Sequence, residues 1–190
     1  MRRSKTLIGL ALSLMMLAAC GPNYDGDFSY EVQSFEAINQ DGEKVTKEDL
    51  DGEFWVADLI FTNCDSVCPP MTANMARLQE KLEQEGLDVR LVSFSIDPEN
   101  DKPEVLKQYS AERGGKFDNW DLLTGYSFED IKELSIKSFK APLEKLPDSD
   151  QFMHVTNFYL ITPEGNAIKK YDGTKAANMD TIVEDLKKMM

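Results

Sequence analysis

The chain has 190 residues, of which 34 are acidic and 21 are lysine or arginine, for a formal net charge of -13. A surface that acidic excludes nucleic-acid binding through phosphate contacts and argues against a polybasic membrane contact. The length suits one domain with a proper core and is too short for two.

The N-terminus reads as a removable export signal. Arg2, Arg3 and Lys5 form a basic start, Leu7 to Met16 an apolar stretch, and Leu17-Ala18-Ala19-Cys20 a small-residue cleavage site. The stretch is too short, and too quickly followed by polar residues, to be a spanning helix. Its ending resembles a bacterial lipobox, which implies loss of residues 1–19 and a lipid-modified Cys20 as first residue, tethering the domain to the cell membrane outside the cytoplasm. Loss of Arg2, Arg3 and Lys5, with no acidic residue, moves the formal charge from -13 to -16. Residues 20–27 then form a short lipidated tether and 28–190 one globular unit, without internal repeat or low-complexity segment.

Strand and helix patterns alternate through that unit. Phe54 to Phe61 is the most apolar run and reads as a core strand. Pro69 to Glu85 reads as a helix, with Met71, Met75, Leu78 and Leu82 at helical spacing and Gly86 as its stop. Val89 to Ile96 is a second core strand, Asp97 to Asp101 a loop, and Pro103 to Arg113 a helix ended by Gly114-Gly115. Asn119 to Leu123 is a short strand. Ser127 N-caps a helix to Ser138, and a loop runs on to Phe152. Val155 to Ile161, the turn Pro163-Glu164-Gly165-Asn166 and Ala167 to Tyr171 form a hairpin, and Met179 to Met189 a closing amphipathic helix. This order implies an α/β fold, a central mixed sheet flanked by helices. With paired cysteines after the first long strand, it resembles a thioredoxin-like fold.

Cys64 and Cys68 follow that strand directly, with Pro69-Pro70 behind them. Pro69 disfavours helical geometry at Cys68, so the helix starts at or just after it. Cys68 then lies near the positive end of the helix dipole, which favours its thiolate. In an exported protein whose Cys20 is acylated, these two thiols either close a disulfide or bind one metal ion. The single histidine, His154, begins the strand that leads to Pro163. Two sulfurs and one imidazole suit Cu(I), hold Cu(II) with an added ligand, and are acceptable to Zn(II).

Three motifs in register are similar to the Sco (SenC/PrrC) family: Phe61-Thr62-Asn63-Cys64-Asp65-Ser66-Val67-Cys68-Pro69, Ser95 to Pro103 with its Asp97-Pro98, and His154 leading to Tyr159-Leu160-Ile161-Thr162-Pro163. The resemblance covers nearly all of the chain from Phe28. It implies a membrane-tethered copper chaperone of thioredoxin-like fold, delivering copper to the dinuclear copper site of cytochrome c oxidase subunit II. It further implies ligation of one copper per monomer, as Cu(I) and/or Cu(II), by Cys64, Cys68 and His154. Asp97 is implied as an outer-shell residue, against a plain reading as a turn carboxylate. A redox disulfide between Cys64 and Cys68 would block copper loading and require a thiol reductant as a partner. Many relatives carry Asp before the histidine, where this chain has Met153, so a carboxylate orienting the imidazole must come from Asp148 or Asp150, or be absent.

Other residues have plainer readings. Met71 and Met75 are explained by packing at least as well as by copper, and Met153 is a thioether beside a candidate ligand. Asp58, inside the apolar strand, faces a bulge or a buried partner, while Trp55, Trp120, Phe94 and Tyr159 read as core. The rival function is a thiol-disulfide oxidoreductase acting on the same oxidase subunit or on other exported proteins. The three-residue spacing of the cysteines, where such reductants use two, and the lack of a proline near His154 oppose it. A peroxidase is weaker still, since Thr62 stands one position short of the usual Thr-x-x-Cys pattern.

Overall fold

The computed structural model describes residues 24–64 and 66–190. The export signal, Cys20 and the start of the tether lie outside the described residues. The described part of the tether lies against the domain: the Tyr24 ring meets Phe54 edge-on at 5.0 Å, and the Asp27 N–H donates to the Ile168 carbonyl at 2.9 Å. No helix among the described residues is long and apolar enough to cross a membrane.

The fold is built on a six-stranded mixed sheet, as the alternating pattern predicts. In chain order its strands are β1 (Tyr30–Glu31), β4 (Phe54–Ile60), β5 (Val89–Ser95), β6 (Trp120–Leu123), β9 (Asn157–Ile161) and β10 (Asn166–Asp172). Two small hairpins stand outside it, β2 (Glu36–Ile38) with β3 (Lys44–Thr46), and β7 (Glu144–Lys145) with β8 (Phe152–Met153). The spatial order is β1-β10-β9-β4-β5-β6. β4, β5 and β6 are mutually parallel, while β9, β10 and β1 follow by antiparallel pairing. Every residue of β4 is buried, because helices cover both of its faces.

Among the described residues four α-helices complete the fold: α1 (Cys68–Glu85), α2 (Pro103–Ala111), α3 (Phe128–Phe139) and α4 (Asn178–Met189). On one face, Val56 and Ile60 pack with Met71, Met75 and Leu78 of α1, Leu106 of α2 and Ile182 of α4. On the other, Trp55, Ala57 and Leu59 pack with Ile131, Leu134 and Phe139 of α3. The alternation along β4 thus divides the core in two. Helix ends follow local chemistry. Gly86 takes φ 65° where α1 stops, and Ser127 caps α3, its hydroxyl accepting from the Asp130 N–H while its own N–H donates back to the Asp130 carboxylate. Met71 and Met75 are fully buried packing residues, and Trp55, Trp120, Phe94 and Tyr159 are core as expected.

One expectation shifts. His154 does not begin a strand, since β9 starts at Asn157 and His154 lies in the link between β8 and β9. Residues 152–153 pair with 144–145 in a separate hairpin, which leaves 154–156 outside any ladder.

Candidate metal centre

Sheet topology brings three segments to one edge. Because β4 and β5 run parallel, the loops that follow them leave at the same end. β9 runs antiparallel to β4, with Ala57 opposite Tyr159, so the residues preceding β9 arrive at that end too. Continued by a few residues, this register sets His154 and Val155 beside Phe61 and Thr62. In open α/β sheets such a strand end is where ligands bind.

Cys68 opens α1, behind Val67 and ahead of Pro69, and its N–H donates to the Cys64 sulfur at 3.4 Å. The Cys68 sulfur lies 3.7 Å from His154 Nε2, and His154 Nδ1 lies 2.8 Å from the Val155 carbonyl oxygen. A carbonyl only accepts, so Nδ1 carries the proton and Nε2 turns a lone pair toward Cys68. The imidazole also meets the Phe61 ring edge-on, centroids 5.7 Å apart. Burial holds its pKa below the ordinary value against the opposing Val155 bond, which keeps the ring neutral. The group that orients the imidazole is therefore a backbone carbonyl, and neither Asp148 nor Asp150 takes that part. Met153, on β8, is half-exposed to solvent.

Both thiols are free and buried, yet they differ in acidity. Burial works against the Cys64 thiolate, but the N–H groups of Cys68, Ser66 and Val67 and the Cys68 thiol outweigh it, so its pKa falls below the ordinary value. Burial drives the Cys68 thiol far upward; the Phe61 N–H opposes this only in part, and Cys64 and Asp58 push the same way. The expectation from the helix dipole is thus corrected. A partial charge at a helix end does not overcome full enclosure, and Cys64 is the more acidic sulfur.

Behind the sulfurs lies a polar cluster. The fully buried Asp101 carboxylate accepts from Thr62 Oγ1 at 2.5 Å, from Ser95 Oγ at 2.6 Å and from the Thr62 N–H at 3.3 Å. These bonds tie the turn carrying Cys64 to the end of β5 and the start of α2. The candidate Asp97 stands one layer further back. Its N–H donates to Ser95 Oγ at 3.1 Å, its carboxylate accepts from the Asn100 side chain at 2.9 Å, and its carbonyl closes the turn by accepting from the Asp101 N–H at 2.8 Å. Asp101 and its two hydroxyl partners were not anticipated from sequence. The available signal was a second aspartate four residues after Asp97, just ahead of the Pro103 helix start.

Asp58 is enclosed on the opposite face of β4 from Ala57 and Leu59. One carboxylate oxygen accepts from Ser93 Oγ at 2.5 Å, Ser93 Oγ in turn accepts from the Trp120 indole at 3.0 Å, and the other oxygen is unpartnered. Burial pushes its pKa up to about 7, with the Ser93 bond opposing.

No group of three or more His, Cys, Asp or Glu side chains among the described residues stands at ready metal-coordinating spacing. The row is joined by the Cys68 N–H to the Cys64 sulfur and by the Cys68 sulfur to His154 Nε2, and loading a metal there requires loss of the thiol protons. The donor chemistry fits a soft ion: two buried sulfurs and one unprotonated imidazole nitrogen on a partly buried ring.

Comparison with known proteins agrees in kind. The SCO1/SenC family model matches residues 25–190. A SCO1 protein homolog of Bacillus subtilis is 49% identical over 186 residues, 96% of each chain. Among solved structures, a SCO1/SenC family lipoprotein from Bacillus anthracis superposes with TM-score 0.82 at 44% identity, over 87% of this chain and 99% of that one. BsSco, described as a Sco-family cytochrome c oxidase assembly protein with a disulfide switch, gives TM-score 0.79 at 50% identity, over 88% and 96%. The Arabidopsis thaliana ScoI with copper bound gives TM-score 0.69 at 28% identity, over 82% and 98%.

Proposed function

Since the chain belongs to the SCO1/SenC family, we propose that it is a copper metallochaperone whose cargo is held by Cys64, Cys68 and His154 and delivered to the dinuclear copper site of cytochrome c oxidase subunit II. The observation that carries the reading is the Cys68 sulfur 3.7 Å from an imidazole nitrogen whose lone pair is turned toward it by the Val155 carbonyl. The copper-bound Arabidopsis ScoI and the oxidase-assembly description of BsSco support it.

Each residue has a part. Cys64, with its N–H donors, is the thiolate formed first and meets the incoming ion. Cys68 then gives up its proton, and its negative charge is matched by the cation rather than left bare in an apolar pocket. His154 supplies Nε2 without losing a proton. Release runs in reverse, by exchange with the sulfurs of the receiving subunit. Asp97 acts as an outer-shell residue through Ser95 and Asp101. Oxidation of Cys64 and Cys68 to a disulfide removes two electrons and two protons and takes both sulfur donors from copper, so an external thiol reductant must restore them. The disulfide switch described for BsSco favours that coupling, and with it a secondary thiol-disulfide role. The lipobox reading places the domain on the outer membrane surface through Cys20, in keeping with the lipoprotein description of the Bacillus anthracis relative.

The test is a copper titration of the reduced domain lacking residues 1–20. Wild type should bind one ion with thiolate-to-copper charge transfer. His154→Ala should shift the band, and Cys64→Ser should abolish tight binding. Undiminished copper affinity in Cys64→Ser would remove that ligand assignment.

A further inference from the structure

The described end of the tether is bound to the domain at one pole. The Tyr24 ring meets Phe54, the first residue of β4, edge-on at 5.0 Å and packs against the core cluster of that face. The N–H groups of Asp27 and Phe28 both donate to the Ile168 carbonyl, at 2.9 and 3.3 Å. Between these anchors Gly26 lies so close to β10 that a Cβ there would stand 2.8 Å from Ile168 Cβ and 3.1 Å from the Ile168 carbonyl oxygen. Ile168 sits in the irregular step of β10 between Ala167, which is opposite Ile161, and Lys169. Ile161 in turn lies opposite Trp55 at the start of β4. Aromatic packing, backbone bonds and a close approach thus fasten residues 24–28 to the end of the sheet where β4 begins.

The candidate copper site stands at the other end. Cys64 follows β4, and Gln151, beside the β7–β8 hairpin, reaches Asn63 there. From Phe54 to Phe61 the chain rises about 23 Å, at about 3.3 Å per strand residue. Cys20 precedes Tyr24 by four residues, so whatever path they take the chain spans at most about 14 Å between them. With Tyr24 pinned beside Phe54, a lipid on Cys20 cannot reach the copper end. The excess of acidic over basic residues gives the flanks of the domain no general attraction to anionic lipid.

We propose that the docked residues 24–28 are a strap that sets the stance of the domain on the membrane. The base, where β4 begins, rests near the bilayer, and the edge carrying Cys64, Cys68 and His154 points away from it. The inference rests on the lipid-anchor reading above. The edge is then held roughly 23–37 Å above the bilayer surface, the lower figure for a base in contact with lipid and the upper for a fully extended link. The partner that fits this stance is a protein whose receiving metal site is carried on a domain standing off the membrane at that height. A site within the lipid or at headgroup level would be out of reach. A tether free over all of residues 20–27 would let the domain turn over, and the strap removes that freedom.

The experiment uses the full lipid-modified chain in vesicles of phosphatidylethanolamine and phosphatidylglycerol that carry an acceptor dye on some headgroups. A donor dye is coupled to an azide-bearing residue placed either at position 164, exposed in the turn at the base, or at position 150, exposed beside Gln151 at the copper end. Energy transfer to the bilayer should be several-fold stronger from 164 than from 150. Tyr24→Ala and Gly26→Val release the strap. In both, the difference should shrink as transfer from 150 rises, while copper binding by the same proteins in detergent stays as in wild type. Equal transfer from the two positions in wild type means a domain lying on its side and overturns this inference alone. A difference that survives intact in both variants shows that the docked residues do not set the stance, and overturns it as well. The wild-type comparison needs no variant, so it stands even where a variant fails to fold. Wild type that washes off the vesicles, or Cys20→Ser that stays on them, overturns the lipid anchor and this inference with it.

Discussion

The two walls of the candidate copper site are held by different means. The wall carrying Cys64 is tied down by the enclosed Asp101 carboxylate, which accepts from Thr62 Oγ1, the Thr62 N–H and Ser95 Oγ. The wall carrying His154 is a link outside any ladder. It is held by the Nδ1 contact to Val155, by the Gly173 N–H donating to the Thr156 carbonyl at 2.8 Å, and by Gln151 Nε2 donating to the Asn63 carbonyl at 3.0 Å. The first wall is a saturated buried network, and such networks specify one geometry. The second takes its position from the β4–β9 register and needs few bonds of its own. The turn carrying Cys64 is thus fixed in the metal-free chain, and His154 is the candidate ligand with room to adjust.

The comparison breaks most directly at Asp101. Asp101→Ala leaves two hydroxyls and an N–H facing a cavity without an acceptor, and should destabilise the domain by about 3 kcal/mol or more, read from urea unfolding of the metal-free protein. A loss below about 1 kcal/mol would mean that the network does not hold the Cys64 wall.

The floor beneath the walls contributes through pH. Asp58, pushed up to about 7 by burial, stays protonated in the folded chain where an unfolded aspartate is already ionised. Its contribution is fully present below the ordinary aspartate value and is lost as pH rises through about 7. Between these limits stability should fall by up to about 1.4 kcal/mol per pH unit. The other carboxylates repel one another more as pH rises, so the decisive quantity is the difference between wild type and Asp58→Asn at pH 5, 6, 7 and 8. Parallel curves would contradict the proton on Asp58.

Gly173 tests the looser wall. A Cβ there would lie 2.7 Å from the Phe158 ring and 3.0 Å from the Thr156 carbonyl oxygen, so Gly173→Ala must displace the link that follows His154. Overpacking of this kind costs about 1–3 kcal/mol. The thermal melt should fall accordingly, and copper retention should fall further than the melt alone explains, because the imidazole moves while the sulfurs do not.

The core of the fold was legible, and its margins were not. β4, β5, β6, β9, β10 and all four helices carry long apolar periodicities with Pro, Gly or Ser at their ends, and sequence reading places them within a few residues. β1, β2, β3 and the β7–β8 hairpin are two or three residues long, too short for any period, and exist because a partner strand is nearby. That hairpin is what moved His154 from a strand start into a link. The site was legible as residue types and spacing, but the order of thiol acidity was not. Proximity to a helix start is visible in Cys68-Pro69, whereas the enclosure that overrides it depends on the core cluster that takes in both cysteines and on the 154–156 link beside them. Asp101 was hidden for the same reason, since its donors come from two separate segments, Thr62 after β4 and Ser95 at the end of β5.

The smallest expected effect sharpens the contrast most. Gln151 reaches across from the hairpin loop to the Asn63 carbonyl, one residue before Cys64, and joins the two walls directly alongside the Cys68–His154 contact. It is exposed, so water replaces it readily, and Gln151→Ala should cost no more than about 0.5–1 kcal/mol in a metal-free melt. If the copper site is as derived, even that bond is dispensable for loading, because the sulfurs are held by Asp101 and the imidazole by strand register. Copper affinity should then stay within about threefold of wild type, a difference of less than 1 kcal/mol. A Gln151→Ala protein that lost copper as severely as Gly173→Ala would show that the His154 wall is positioned by the cross-link rather than by the sheet, and the division into a fixed and an adjustable wall would have to be redrawn with Asn63 on the adjustable side.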